Sequence, residues 1–170
     1  KGQPRMTKPS EMSGDQGRDL LAIIRAQAST EFGSIQQHEV TLSRAQEDED
    51  RFWVLRVMAE ELPHGYQVFH LLPSQDWSGV TDQSAEDMVE EILSMRTGSH
   101  VLDAFNVDYD SFVDNVVFAT GIDRVGKYQR RMQRVCAYKP FAQSMPPMLR
   151  EEAFHLAAGV VPLRRWVQHA

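Results

Sequence analysis

Apolar residues along this chain recur at threes and fours, the period of a buried helix face, and no convincing run of strict alternation marks a strand. From Asp19 to Arg44 the apolar positions Leu20, Ile23, Ile24, Phe32, Ile35 and Leu42 define one long helix, with Asp19 suited to its first turn. The charged run Ala45–Asp50 reads as a turn carrying a helix-start signal. A second helix follows from about Arg51 to Leu72, where Val54, Met58, Gly65, Val68 and Leu72 form the stripe and Pro73 is expected to end it. Ser74–Ser78 reads as a loop, and Ser84 with Asp87 resembles a capping box for a helix from Ala85 to Met95. Glu86, Glu90 and Glu91 on that helix read as solvated charges, and acidic residues in a first turn suit the helix dipole. Arg96–Asp110 is irregular, and another long helix runs from about Ser111 to Ala137. Tyr138–Pro147 is expected to be a loop leading into a last helix that Pro162 restarts or kinks. Residues 1–16, polar and rich in Gly and Pro, read as a flexible N-terminal arm, and 17–170 as one helical domain. The fold class is all-α, four long helices with additional short ones, and there is no internal repeat.

Composition narrows the class without naming a function. A chain of 170 residues with 42% hydrophobic and 25% charged residues can bury one proper core. The formal net charge of −6 argues against nonspecific binding to nucleic acid or to an anionic membrane. No apolar run is long enough to span a bilayer, and the N-terminus carries no signal-peptide core. The single cysteine, Cys136, precludes an intrachain disulfide and fits a reducing, cytoplasmic setting. Because the sequence opens on Lys1 rather than Met and stops at Ala170 within a helical pattern, it is expected to be a fragment of a longer protein.

Two short runs carry candidate chemistry. Glu61 precedes His64 by three residues in EELPHGYQVFH, and Glu152 precedes His155 by three in REEAFH. Residues three apart on a helix share a face, so each pair can hold one metal ion between a carboxylate and an imidazole. Glu61 also falls inside the apolar stripe of its helix, and a buried carboxylate is costly unless partnered, for instance by a metal. Two Glu-x-x-His helices, with one carboxylate from each of two others, make the di-iron or di-manganese site of ferritin-like four-helix bundles.

The remaining carboxylates follow from hairpin arithmetic. Glu31 lies 30 positions before Glu61, and their midpoint falls in the Ala45–Asp50 turn, so an antiparallel hairpin sets them at one height. No Glu occurs between Ser94 and Arg150, which leaves Asp123 as the carboxylate well inside the third long helix. Asp123 lies 29 positions before Glu152, nearly the same interval, although a second turn of about ten residues weakens the match. Alternative readings stay open: His38 and Glu39 lie roughly on the Glu31 side, and Asp123 can serve as a hydrogen-bond partner of a ligand imidazole instead. The basic stripe Arg124, Lys127, Arg131 and Arg134 can grip phosphates, or it can simply complement a helix C-terminus.

The segments STEFGSIQQHE, RFWVLRVMAEE-x-x-HGYQ, TGSHVLDAFN, SFVDN, IDRVGKYQ and MPPMLREEAFHLAAGVVPLRRW together resemble the oxygenase component of the benzoyl-CoA 2,3-epoxidase family. The resemblance runs from about Leu20 to Trp166 and implies a ferritin-like di-iron enzyme, related to the catalytic subunit of phenylacetyl-CoA epoxidase. It implies Glu31, Glu61, His64, Asp123, Glu152 and His155 as ligands of two iron ions, with Glu61 and Asp123 bridging or nearly so. It further implies O₂ as co-substrate, benzoyl-CoA as substrate, and a separate NADPH-dependent reductase as electron donor; one oxygen atom is added across the 2,3 bond of the ring and the other leaves as water. The coenzyme A phosphates need cations, for which Arg124, Lys127, Arg131, Arg164 and Arg165 are the candidates. The chain itself carries no Gly-rich dinucleotide fingerprint and no Cys cluster. A ferroxidase or iron-binding bundle without organic substrate would use the same six residues. One departure stands out: Pro63 lies between Glu61 and His64, where it removes a helix hydrogen bond to Ala59 and is expected to disturb the helix at the site.

Overall fold

The structure is a computed structural model that describes residues 5–169. Four long helices form the bundle: α1 (Gly14–Leu42), α2 (Asp48–Phe69), α5 (Phe112–Gln133) and α6 (Lys139–His169). Two short ones, α3 (Leu71–Ser74) and α4 (Ala85–Ser94), lie in the crossover between the halves. The chain therefore folds as a ferritin-like four-helix bundle with extra short helices. α1 packs chiefly on α2 and α5 on α6, each pair joined by a short turn and hence antiparallel, while α2 against α6 joins the two hairpins.

Local chemistry explains most boundaries. Ser84 accepts from the Asp87 N–H and Asp87 answers the Ser84 N–H, the capping box that starts α4. Ser111 caps α5 in the same way through the Asp114 N–H at 3.1 Å. Asp48, Glu49 and Asp50 occupy the first turn of α2, where the helix dipole favours them. Its other end lies at Phe69, three residues before the expected stop, because the chain turns at His70 and makes the single turn α3, which contains Pro73.

Two expectations are corrected. Tyr138–Pro147 is not a loop: α6 starts at Lys139 and continues through Pro146, Pro147 and Pro162. Tyr138, Phe141 and Met145 on this stretch, and Met148 just past it, are buried in the main core with Leu20, Leu21, Ile24, Leu72 and Trp77. Burial of that face outweighs the hydrogen bonds the prolines remove. The turn between α5 and α6 is accordingly the short segment Arg134–Tyr138, so both hairpins are tight. The expected arm is also not structureless over its described part. Pro9–Glu11 forms a 3₁₀ turn, α1 already begins at Gly14, and Met6 bridges to the α5–α6 turn through Met6 N–H to Ala137 O (2.9 Å) and Lys139 N–H to Met6 O (2.7 Å). Residues 1–4 of that arm lie outside the described residues.

Pro63 does not break α2. It and Ala59, whose carbonyl loses its helical donor, are both exposed, so water can satisfy the freed group. Gly65, one residue past His64, is needed for close approach: a Cβ there would lie 2.7 Å from the Phe32 ring of α1. No helix among the described residues is long and apolar enough to cross a membrane.

Candidate metal centre

Glu61 of α2 lies between two imidazoles. Its Oε1 is 3.1 Å from His155 Nδ1 on α6, and its Oε2 is 3.7 Å from His64 Nδ1 on its own helix. The two rings are 5.4 Å apart, and ligand atoms of Glu61, His64 and His155 lie within 4.8 Å of one another. All three residues are buried. Glu31 reaches the group from α1, its Oε2 3.8 Å from His64 Nδ1. Glu152 is buried on α6, one turn from His155, and half-buried Asp123 borders both small cavities beside the cluster.

The outer nitrogens of the imidazoles are held in a crossed arrangement. His155 Nε2 hydrogen-bonds Glu60 of α2 at 3.0 Å, and His64 Nε2 hydrogen-bonds Glu151 of α6. Ionised carboxylates only accept, so each Nε2 carries its proton and each Nδ1 is the atom turned to the centre. Such outer carboxylates orient an imidazole and raise its basicity toward a metal. Each belongs to the residue immediately before the Glu of its own pair, so both motifs read Glu-Glu-x-x-His. That doublet was visible in the sequence, but its role was not.

Burial and mutual charge set the protonation. Burial drives Glu31 well above the usual carboxylate range, against the pull of Arg130. Glu152 is raised by burial in the same way, again opposed by Arg130. Burial and the charges of Glu61 and Glu152 push Asp123 up to about 8. Burial would raise Glu61 too, but Glu31, His155 and His64 together hold it well below the ordinary range, so Glu61 keeps its charge. Burial would lower His155, yet Glu61, Asp123 and Glu152 push it up to about 9.

The residues fit a metal ion. Glu31 Oε2, Glu61 Oε2, His64 Nδ1, Glu152 Oε2 and His155 Nδ1 are buried without a hydrogen bond, on neighbouring side chains. Buried polar groups are seldom left so, and this donor set of imidazole nitrogen and carboxylate oxygen suits iron. The adjoining space is small. Two cavities of about 40 and 20 Å³ flank the cluster, one lined by Glu31, Glu61, Asp123 and Arg130, the other by His38, Asp123 and His155. They hold water-sized bodies, far below the roughly 300–1,000 Å³ of an organic-ligand pocket.

Sequence reasoning missed Arg130. It lies on α5, two turns past Asp123, almost fully buried, with Nη2 2.6 Å from Glu31 Oε1 and Nη1 2.5 Å from Glu152 Oε1. Burial alone would lower its pKa, but Glu31, Glu152 and Glu61 raise it and keep it charged. His38 is buried: Asn115 Nδ2 donates to its Nδ1 at 3.0 Å, and burial lowers it to about 4. Glu39 points to solvent.

The candidate phosphate cations do not come together. Arg124 and Arg131 are exposed along α5 and Lys127 is half-buried. Arg165 lies at the opposite end of the bundle, where both Asp50 oxygens hold its Nη2 at 2.8 and 2.7 Å; Arg164 beside it is exposed. An open groove of about 730 Å³ lies at that end, lined by Arg165, Trp166 and Phe112 with Glu47, Glu49, Asp50 and Asp110. Acidic side chains outnumber the cations there, which does not favour a phosphate.

Fold and site together define an all-α bundle of ferritin-like architecture holding a buried imidazole–carboxylate cluster of metal-binding type. No family model matches the chain. It is similar to the benzoyl-CoA oxygenase component B of Aromatoleum evansii, with 28% identity over 162 residues, 93% of this chain. The chain spans about a third of the length of that curated relative (33%).

Proposed function

We propose that this chain is a ferritin-like iron-binding bundle whose buried cluster carries iron redox chemistry, with Glu31, Glu61, His64, Asp123, Glu152 and His155 as the residues that hold two ions. The observation that carries the reading is Glu61 set between two imidazoles whose outer nitrogens are fixed by Glu60 and Glu151. Iron, when bound, supplies the electrons that reduce O₂. The protein's part is placement and exclusion. Glu60 and Glu151 lock the tautomers, Glu61 stays charged between the rings, and the packed helices leave only water-sized space beside them. Asp123, raised to about 8, and His155, raised to about 9, shed protons as metal binds, so loading releases protons and strengthens with pH. The test is anaerobic loading with ferrous iron followed by air. Retained iron that is oxidised without organic substrate supports the reading, and a chain that binds none refutes it.

A second reading is the oxygenase one: epoxidation of benzoyl-CoA at the 2,3 position, with O₂ and a separate NADPH-dependent reductase. The similarity to an oxygenase component B favours it. The small cavities at the cluster favour the substrate-free reading for the chain as it stands. Benzoyl-CoA consumption coupled to O₂ uptake, with reductase and NADPH present, separates the two.

A further inference from the structure

We propose that Arg130 is a resident cation that makes the two halves of the centre unequal: one ferrous ion binds at Glu61, His64 and His155, and a second enters only when the guanidinium leaves Glu31 and Glu152. This rests on the metal reading above and adds to it an order of loading. The guanidinium bridges Glu31 and Glu152, one carboxylate from each hairpin, at 2.6 and 2.5 Å. These are two of the residues a second ion would need, and the Glu61, His64 and His155 group is free of Arg130. A buried guanidinium and a divalent ion on the same carboxylates repel strongly, because little water is present to screen them.

The surroundings are shaped to keep the guanidinium in place. Gly126, one turn before Arg130, provides its seat: a Cβ there would lie 2.6 Å from Nη1. Gln27 donates to the same Glu31 oxygen that Arg130 holds, and Gln133 Nε2 donates to Gln27 Oε1 at 3.1 Å, so the contact is backed from α1 and α5. Displacing a buried, paired charge is costly, which separates the two binding steps by roughly 100-fold.

The experiment is anaerobic equilibrium dialysis of ferrous iron against the natural chain, Arg130→Met, Arg130→Lys and Gly126→Ala, with helicity followed by circular dichroism. The natural chain is expected to take one ion tightly and a second roughly 100-fold more weakly. Arg130→Met removes the cation, and Gly126→Ala displaces it without removing it; both are expected to narrow the gap to under about tenfold, while Arg130→Lys keeps it. Equal affinities in the natural chain overturn the proposal without recourse to any variant. A gap unchanged in both Arg130→Met and Gly126→Ala overturns it while leaving the metal reading intact. No iron binding by the natural chain overturns the metal reading itself, and this proposal with it.

Discussion

Glu60 of α2 hydrogen-bonds His155 of α6 at 3.0 Å, although the two are 95 residues apart and Glu60 belongs to the other Glu-x-x-His helix. Its counterpart, Glu151, reaches back to His64. The crossing ties the two hairpins together at the cluster and fixes both imidazoles from outside. Glu60→Gln is expected to weaken iron binding by roughly 10–100-fold with the fold retained. Iron titration alongside circular dichroism measures both. Unchanged affinity would show that the contact has no part in orienting His155.

Glu61 touches both imidazoles, so its removal affects the whole cluster. Glu61→Ala and His155→Ala are each expected to abolish tight iron loading and keep most of the helicity, which the core around Ile24, Leu72, Met145 and Met148 maintains. Metal analysis of the purified variants decides it, and full loading in both would rule out the assignment.

The metal-free chain should lose stability on the alkaline side. His155 is raised from 6.5 to about 9, so its folded form binds a proton more tightly than its unfolded form. The stabilisation is complete below about pH 6.5 and is lost as pH rises through about 9, on the order of 3 kcal/mol across that window. Asp123, raised to about 8, acts in the same direction at lower pH. Thermal melts of metal-free protein between pH 6 and 9.5 should show a falling Tm, and His155→Gln should flatten the curve.

Gly65 sets the distance between α1 and α2 beside His64. Adding a methyl group there forces the Phe32 ring from its edge-on contact with Phe69, whose centroids are 5.8 Å apart. Gly65→Ala is expected to cost about 1–3 kcal/mol of stability, read by chemical denaturation. Gly79→Ala is a control, since no atom lies within 4 Å of a Cβ at that position.

Much of the bundle was legible because helix period and hairpin spacing are local properties. Glu31 and Glu61 are nearly equidistant from the α1–α2 turn, and Asp123 and Glu152 from the Arg134–Tyr138 turn, so antiparallel pairing sets each pair at one level. The second hairpin fits better than the sequence suggested, because prolines at 146 and 147 argued for a loop where core burial keeps α6 continuous. Proline's cost is local and readable, but the burial that outweighs it comes from residues far away in sequence.

The sequence by itself determined the all-α class, the long helices and the Glu-x-x-His pairs on buried faces, since each depends on contacts within a few residues. Only the tertiary structure decided that Glu60 and Glu151 exchange partners across the α2–α6 interface, that Arg130 enters the centre to join Glu31 with Glu152, and that Arg165 is held by Asp50 at the far end. All of these contacts but one, Arg130 with Glu152 inside the second hairpin, join residues 87 to 115 positions apart. Which charge meets which at that range depends on how the helices turn about their axes as the core packs, and no local period records that rotation.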